Sequence, residues 1–354
     1  MELRYIIQVV ILELICVGIL LFNRQAIFEN HNKNNSNYFL LWLFLTCFCT
    51  WFAVGSDYTS YQEALHFSTH VEPFYLSLYN IVGGNYILWR MIVWGIANIF
   101  IVLTIKRMGD DVNLFTILFI LLPLLGFYYV TRNVLGLSIL FYALAYFDYK
   151  NIWSWIFVAA AIVFTPEFHN SMMLYSIILM VVLLVPFNRY TLLASFILFP
   201  IVQPIILHLS ESVLLELENE NVAEMGMNYI EAEHEQLKYT SIGLLDKILQ
   251  IVPMSLIMIY SIWRYVICRK DDITDKARRF LFMSYILIYI SILYLGQGSI
   301  YLSTRFWDTA YIPVVFFLSN ALYNHRTKFV VRLFFILALL HFAIDLLSSL
   351  REVQ

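Results

Sequence analysis

Residues 86–105 read YILWRMIVWGIANIFIVLTI, an unbroken apolar stretch with one charged side chain, that of Arg90. Because about 20 helical residues cross the hydrocarbon core of a bilayer, this stretch predicts a transmembrane helix. Similar stretches recur along the 354 residues, of which 61% are hydrophobic and 13% charged. The sequence therefore predicts an all-α polytopic membrane protein in which residues 1–354 form a single integral membrane domain.

The apolar stretches predict about twelve transmembrane helices. They cover residues 5–22, 38–54, 86–105, 112–130, 134–147, 152–165, 171–186, 190–208, 243–263, 280–296, 306–322 and 329–347. The fifth and sixth are short, since about fourteen helical residues rise only about 21 Å against a hydrocarbon core of about 30 Å. Backbone groups at membrane depth need water or protein partners. We therefore predict a water-filled cavity at one end of these two helices.

The basic residues predict the orientation of the helices. With the 23–37 loop on the cytoplasmic side, strict alternation places fifteen of the 22 Lys and Arg inside and seven outside. The inside set is Arg24, Lys33, Lys106, Arg107, Lys150, Arg189, Arg264, Arg269, Lys270, Lys276, Arg278, Arg279, Arg326, Lys328 and Arg332. The net charge of -3 hides this asymmetry and gives no indication of nucleic-acid binding.

This orientation makes two polar loops external. Residues 55–85 have an apolar stripe of their own, which predicts an interfacial or re-entrant segment. Residues 209–246 are rich in glutamate and predict amphipathic external helices, whose acidic face is either solvated or a gate over the cavity. In the first loop Glu63, His66 and His70 would share a helix face. Histidines four residues apart are common on solvated helices, so no metal site is predicted.

Two arginines lie beside apolar stretches on the predicted external side. Arg132 follows the 112–130 stretch, and Arg305 stands just before the 306–322 stretch. A guanidinium at or near membrane depth is costly without a partner, which makes each arginine a candidate functional residue. The alternative for both is a snorkelling interfacial side chain. His169, at the head of the 171–186 stretch, either lines the same cavity or caps the helix that follows.

Four short motifs stand on the external side in a fixed order. They are Gly55-Ser56-Asp57-Tyr58-Thr59-Ser60-Tyr61, Glu72-Pro73-Phe74-Tyr75, Arg132-Asn133 at the head of a span, and Phe168-His169-Asn170-Ser171. In order and placement they resemble the EpsG family of Wzy-like polysaccharide polymerases, over most of the chain. Ser56 stands where the family usually has Thr, and Asn133 where it has Gln. The arginine often found before the first motif is absent, with Phe52 or a neighbour in its place.

This resemblance implies a GT-C-like glycosyltransferase of the bacterial cytoplasmic (inner) membrane. Such polymerases transfer a growing glycan from undecaprenyl diphosphate to the nonreducing sugar of another lipid-linked repeat unit, on the external face. Arginine forks stabilise a leaving diphosphate through bidentate, charge-assisted hydrogen bonds. Arg132 and Arg305 are therefore expected at the diphosphate, with Arg90 as a weaker third and Asn133 as a further substrate-binding residue.

The acceptor hydroxyl must be deprotonated or oriented as it attacks the anomeric carbon. Asp57, Glu72 and His169 are the external groups able to do this. Tyr58 and Tyr61 could stack on sugar rings, with an interfacial aromatic belt as the alternative. No cofactor and no metal are expected, because two or three arginines can supply the neutralising charge.

Two other classes of protein remain open from the residues. A lipid-linked oligosaccharide flippase or related transporter would also be a bundle with cavity arginines, but it should show two similar halves, and no internal repeat is visible here. An O-antigen ligase uses the same donor and differs only in its acceptor. The expected partners are undecaprenyl-diphosphate-linked glycans and membrane lipid, with a chain-length regulator protein as a further candidate and no nucleic acid.

Overall fold

The structure is a computed structural model that describes residues 35–51, 56–67, 71–122, 131–169, 171–198, 241–268, 273–295 and 300–324, besides a few isolated positions. Every regular element within these ranges is a helix. The helices are α1 (Asn35–Trp51), α2 (Ser56–Phe67), α3 (Pro73–Ile81), α4 (Tyr86–Met108), α5 (Val112–Leu121), α6 (Thr131–Tyr146), α7 (Ile152–Phe164), α8 (Met172–Leu184), α9 (Arg189–Leu198), α10 (Ser241–Ile262), α11 (Asp275–Leu295) and α12 (Ile300–Asn324).

Polar residues in the connections set several helix ends. The side chain of Asn85 accepts a hydrogen bond from the Leu88 N–H at the start of α4, and Asp111 does the same for Leu114 at the start of α5. Such caps stabilise a helix by about 1 kcal/mol each. Gly109 ends α4 with φ +75°, a left-handed conformation that glycine adopts at little cost. The sharp turn between α4 and α5 is therefore encoded locally.

Two of the described helices, α4 and α11, are long and apolar enough to cross a membrane by length and composition. Seven shorter apolar helices lie beside them. These helices are consistent with a helical membrane protein. The predicted number of spans and the GT-C-like architecture remain predictions, and the stretches 5–22 and 329–347 lie almost wholly outside the described residues. So does most of the acidic loop 209–246, whose last six residues begin α10.

Helices α6 and α7 are short, as the sequence predicts. They contain 16 and 13 residues respectively, and α7 continues into a 3₁₀ turn at Thr165–Glu167. Their rise of about 20 to 24 Å is below the thickness of the hydrocarbon core. In the loop 55–85, where an interfacial segment is predicted, the chain forms helices α2 and α3, and α3 buries Tyr75 and Tyr79.

Aromatic rings fill the centre of the bundle. Phe316 of α12 lies 4.8 Å from the ring of Phe115 on α5, 4.9 Å from Phe280 on α11 and 6.1 Å from Phe141 on α6. All four are fully buried. Because lipid tails are as apolar as these rings, such a core stabilises a membrane bundle through close packing more than through removal from water.

One end of the bundle gathers basic residues. Lys276, at the start of α11, donates to the carbonyl of Arg107 at the end of α4, and Arg279 donates to the carbonyl of Phe147 after α6. The hydroxyl of Tyr149 reaches the carbonyl of Leu183 at the end of α8. These contacts place helix ends together as the strict alternation of spans requires. The membrane face on which this basic end lies stays a prediction.

A labelling experiment tests the orientation. In a variant without the four natural cysteines, we expect a membrane-impermeant thiol reagent to label Glu63→Cys in intact cells and to miss Lys150→Cys. Both side chains are exposed, on α2 and in the turn before α7. Lys150 should react after the membrane is permeabilised, which serves as the control. The reverse pattern would place the basic end outside and overturn the orientation.

Candidate active site

Glu72 and His169 meet at the end of the bundle opposite the basic residues. His169 Nδ1 lies 3.1 Å from Glu72 Oε1, and the two side chains are 21% and 15% exposed. Glu72 is the N-cap residue of α3, with Pro73 in the first turn, and His169 stands between the 3₁₀ turn after α7 and the start of α8. The sequence places both residues on one side of the membrane, and the structure brings them into contact.

Aromatic packing holds the two backbones in place. Phe168, which precedes His169, packs edge-on against Phe74 at 4.8 Å. Tyr75 packs edge-on against Trp89 of α4 at 5.6 Å, and the Trp89 indole donates to the Tyr75 carbonyl at 3.1 Å. Each aromatic pair contributes about 0.5–1.5 kcal/mol beyond its buried area. Tyr75 is fully buried, so its ring serves this packing and does not face solvent.

Within the described residues His169 Nδ1 forms no aligned hydrogen bond, although it lies 3.1 Å from the Glu72 carboxylate. If the proton is on Nδ1, the ring nitrogen 3.1 Å from Glu72 Oε1, the other ring nitrogen, Nε2, is left as the base. A carboxylate at Nδ1 fixes this tautomer and stabilises the imidazolium that forms when Nε2 takes a proton. The pair can therefore act as a general base of the histidine–carboxylate type.

Helix α8 connects this pair to the head of α6. Ser171 Oγ donates to Asn133 Oδ1 at 3.3 Å, and Asn133 is buried. The helices approach closely at Gly136, where an added Cβ would stand 2.6 Å from Met172 Sδ. Arg132 precedes Asn133 in the first turn of α6. Its side chain lies outside the described part, but its backbone is one residue from the contact with Ser171.

The same helix connects to the head of α12. The hydroxyls of Tyr175 and Thr309 lie 3.3 Å apart, and Thr309 Oγ1 donates to the carbonyl of Arg305 at 2.8 Å. Phe306 packs between Tyr175, at 5.9 Å, and Tyr294, at 5.6 Å with nearly parallel rings. The positive charge of Arg305 also lies near enough to interact electrostatically with the Tyr175 phenol. Arg305 is thus held near the first turn of α8.

The position of Arg305 corrects the predicted helix boundary. The sequence places it in a connection before a span at 306–322, whereas α12 begins at Ile300 and Arg305 lies in its second turn. The run Tyr301 to Thr304 is polar enough to end an apolar stretch but has no residue that breaks a helix. Arg305 therefore projects from a rigid helix, partly exposed, instead of from a loop.

Arg90 occupies a different environment from Arg305. It is 2% exposed, its Nη2 donates to the Cys49 carbonyl near the end of α1 at 2.6 Å, and its Cζ lies 5.9 Å from the centre of the Tyr86 ring. This contact holds α1 just before the chain enters the Asp57 motif. Arg90 lies at the same end of the bundle as Glu72, but closed off from solvent.

Several of the predicted site residues have only their backbones described. Asp57, Tyr58 and Tyr61 belong to α2, which begins at Ser56, and their side chains lie outside the described part of the chain, as does the whole of His70. Among the residues whose side chains are described, no three His, Cys, Asp or Glu residues group as a metal site would. The assignment of Asp57 to the site therefore stays a prediction.

Sequence reasoning missed Tyr175, Thr309 and Asp308. Tyr175 follows Ser171 by four residues and Thr309 follows Arg305 by four, and this spacing puts each pair on one helix face. A hydroxyl residue four positions after a motif residue is therefore the sequence pattern that could have identified Tyr175 and Thr309. Asp308 is exposed near Arg305, and its charge also acts on Tyr175. A carboxylate in the first turns of a membrane helix is as costly as an arginine there, so Asp308 is a candidate functional residue on the same ground.

Within the described residues the protein is helical, and Glu72, His169 and Asn133, which belong to three of the four motifs, lie at one end of the bundle. The EpsG family model matches residues 35–353, nearly the whole chain. The chain therefore belongs to the EpsG family, whose members are Wzy-like polysaccharide polymerases. Comparisons with curated proteins and with solved structures return no match. The family resemblance carried by the motifs is thus confirmed.

Proposed function

We propose that the protein is a membrane glycosyltransferase that polymerises undecaprenyl-diphosphate-linked oligosaccharide repeat units on the external face of the bacterial cytoplasmic membrane. One observation carries the proposal. The segment Phe168 to Tyr175 contacts α3 through His169, α6 through Ser171 and α12 through Tyr175. A base, and the helix turns that carry Arg132 and Arg305, therefore lie around one short segment.

The two arginines are proposed to bind the diphosphate of the donor lipid. A leaving diphosphate carries dense negative charge, and planar guanidinium forks match its oxygens in pairs. Held on the first turn of α6 and the second turn of α12, they would be oriented before the reaction begins, which is the main source of electrostatic catalysis. Asn133 would position Arg132 through Ser171. Arg90, a weaker third, would act through its charge and by holding α1, since it is buried.

The chemical step uses the His169–Glu72 pair as base. The acceptor hydroxyl oxygen attacks the anomeric carbon of the donor, and its proton passes to His169 Nε2. The bond between that carbon and the phosphate oxygen breaks, and its electron pair leaves with the lipid diphosphate. Asp57 is the alternative base, and Tyr58 and Tyr61 are proposed to face the sugars. No metal is required, because the arginines neutralise the leaving group.

Reconstitution tests the proposal directly. Purified protein in vesicles, given lipid-linked repeat units, should produce a ladder of longer lipid-linked glycans, with or without a chelator. Units that change leaflet without growing would indicate a flippase instead. Transfer of the glycan only to an added lipid A-type acceptor would indicate a ligase. Loss of the ladder with chelator, and recovery with Mg²⁺ or Mn²⁺, would overturn the metal-free mechanism. A chain-length regulator is proposed to shape the ladder and is not needed for it.

The contact between α8 and α12 gives a further prediction. Tyr175→Phe removes the hydroxyl that meets Thr309, so Arg305 should be held less firmly and kcat should fall about fivefold, the size of one lost hydrogen bond. Tyr294→Phe is the matched control, because its ring packs on the same Phe306 while its hydroxyl makes no hydrogen bond within the described residues. Polymerisation rates of both purified variants are compared. Equal losses would show that the effect does not depend on the contact between Tyr175 and Thr309.

A further inference from the structure

Three cations converge at the basic end, where α4, α6 and α11 meet. Lys276 Nζ donates to the Arg107 carbonyl at 3.2 Å, and Arg279 stands one turn further along α11. The positive charges of Arg107 and Arg279 both repel the Lys276 ammonium. We call Arg107, Lys276 and Arg279 the basic triad. Like charges repel one another, most strongly where water is partly excluded.

An aromatic platform fixes the two guanidinium groups of the triad. The Arg107 Cζ lies 5.0 Å from the centre of the Tyr146 ring. The Arg279 Cζ lies 5.1 Å from Phe147 and 5.0 Å from Tyr149, and its Nη1 donates to the Phe147 carbonyl at 3.2 Å. Cation–π contacts and a backbone acceptor orient an arginine without neutralising it. The triad is therefore held in place by groups that leave its charge in excess.

Among the described residues, no carboxylate forms an ion pair with the basic triad. Asp110 is 1% exposed and accepts hydrogen bonds from Ser319 Oγ at 2.7 Å and from Asn320 Nδ2 at 2.9 Å. Asp111 caps α5. Asp148 attracts the Lys276 ammonium, but this attraction is weaker than the repulsion from either arginine. An anion bound between the cations would offset their repulsion.

The surroundings of the platform indicate where that anion comes from. Trp155 packs on Phe147 at 4.7 Å, and its indole donates to the Tyr149 carbonyl at 3.3 Å. Trp153 beside it is 68% exposed and Ile152 is 65% exposed. Exposed tryptophans at the end of an apolar helix are typical of the membrane–water interface. A lipid phosphate is therefore an anion that can reach the triad from this side.

We propose that the basic triad binds the phosphate group of an anionic phospholipid, at the end of the bundle opposite the proposed active site. The phosphate lies between the two guanidinium groups and the Lys276 ammonium, and the acyl chains run along the exposed apolar side of α7. The site is independent of the polymerase chemistry, so it stands or falls separately from the proposed function.

Lipid retention by the purified protein tests the site. Native mass spectrometry in detergent measures binding of phosphatidylglycerol and phosphatidylcholine to the full chain. We expect phosphatidylglycerol to bind more tightly, and the double variant Lys276→Gln/Arg279→Gln to weaken its binding by about tenfold or more. The matched control is Lys150→Gln/Arg189→Gln, which removes two exposed cations outside the triad. Its phosphatidylglycerol affinity should change less than twofold.

Other outcomes overturn the proposal. Equal losses in the triad and control variants would mean that only total charge matters. Displacement of phosphatidylglycerol by millimolar inorganic phosphate alone would mean a site for free phosphate and not for lipid. Arg279→Lys separates binding from folding, because it keeps the charge and loses the stacked plane. It should retain more phosphatidylglycerol binding than Arg279→Gln, and equal loss in the two would assign the effect to packing.

Discussion

Replacing Arg305 by lysine is expected to leave the protein in the membrane and to lower polymerisation by about 10² to 10³-fold, the loss typical of removing one donor to a developing anion. Arg305 projects from the second turn of α12, where Thr309 bonds to its carbonyl and Phe306 packs between two tyrosines. Lysine keeps the positive charge and loses the planar fork that can hold two diphosphate oxygens at once.

The measurement is the pattern of lipid-linked glycans from cells that carry each variant. We expect single repeat units to accumulate in Arg305→Lys and in Arg132→Lys. The control is Arg189→Lys, an exposed arginine on α9 that contacts its neighbour Tyr190. Normal polymer in both site variants would make these arginines interfacial anchors. Normal polymer in one of them would assign the diphosphate to the other.

The class of fold could be predicted from the sequence because it depends on local patterns. Apolar stretches mark helices wherever the chain faces lipid or the core, and polar connections supply caps such as Asn85 and Asp111. The α4 helix, predicted at 86–105, runs to Met108 because Lys106 and Arg107 extend the last turn without breaking it. Basic residues at a helix C-terminus favour that extension.

Helix ends inside polar sequence could not be predicted in the same way. Apolar periodicity alone puts Arg305 outside a helix, and the structure puts it inside, because α12 packs extensively against α11. Ser291 of α11 donates to the Ser303 carbonyl at 2.7 Å within the extra turns of α12. Pro313 lies inside α12, where a local rule alone would expect a break or kink.

The contact between Glu72 and His169 depends on distant parts of the chain. The sequence could put both residues on one side of the membrane, since each stands at the end of a predicted element. Their pairing requires Phe168 to pack against Phe74 and α3 to be held on α4 through Trp89. Such packing between separate segments has no periodic signature in one sequence. The motifs indicated which residues matter, and the structure supplies the distances.

His169→Ala is expected to lower kcat of polymerisation by about 10² to 10⁴-fold, the range for loss of a general base. Glu72→Gln should cost less, because the imidazole remains and loses only the group that fixes its tautomer. The double variant should be no slower than His169→Ala alone, since residues that act as a unit are not additive. The control is His66→Ala on α2, where the side chain is exposed beside Phe67.

Rates of the purified variants with lipid-linked repeat units decide between the two candidate bases. In this mechanism the acceptor proton passes to His169 because the Glu72 carboxylate, 3.1 Å from its Nδ1, stabilises the imidazolium. If the Glu72 and His169 losses simply multiply, the two side chains act separately and the pair is structural. If Asp57→Asn abolishes polymerisation while His169→Ala retains most of it, the base is Asp57 and the His169 contact serves to hold α3 against α8.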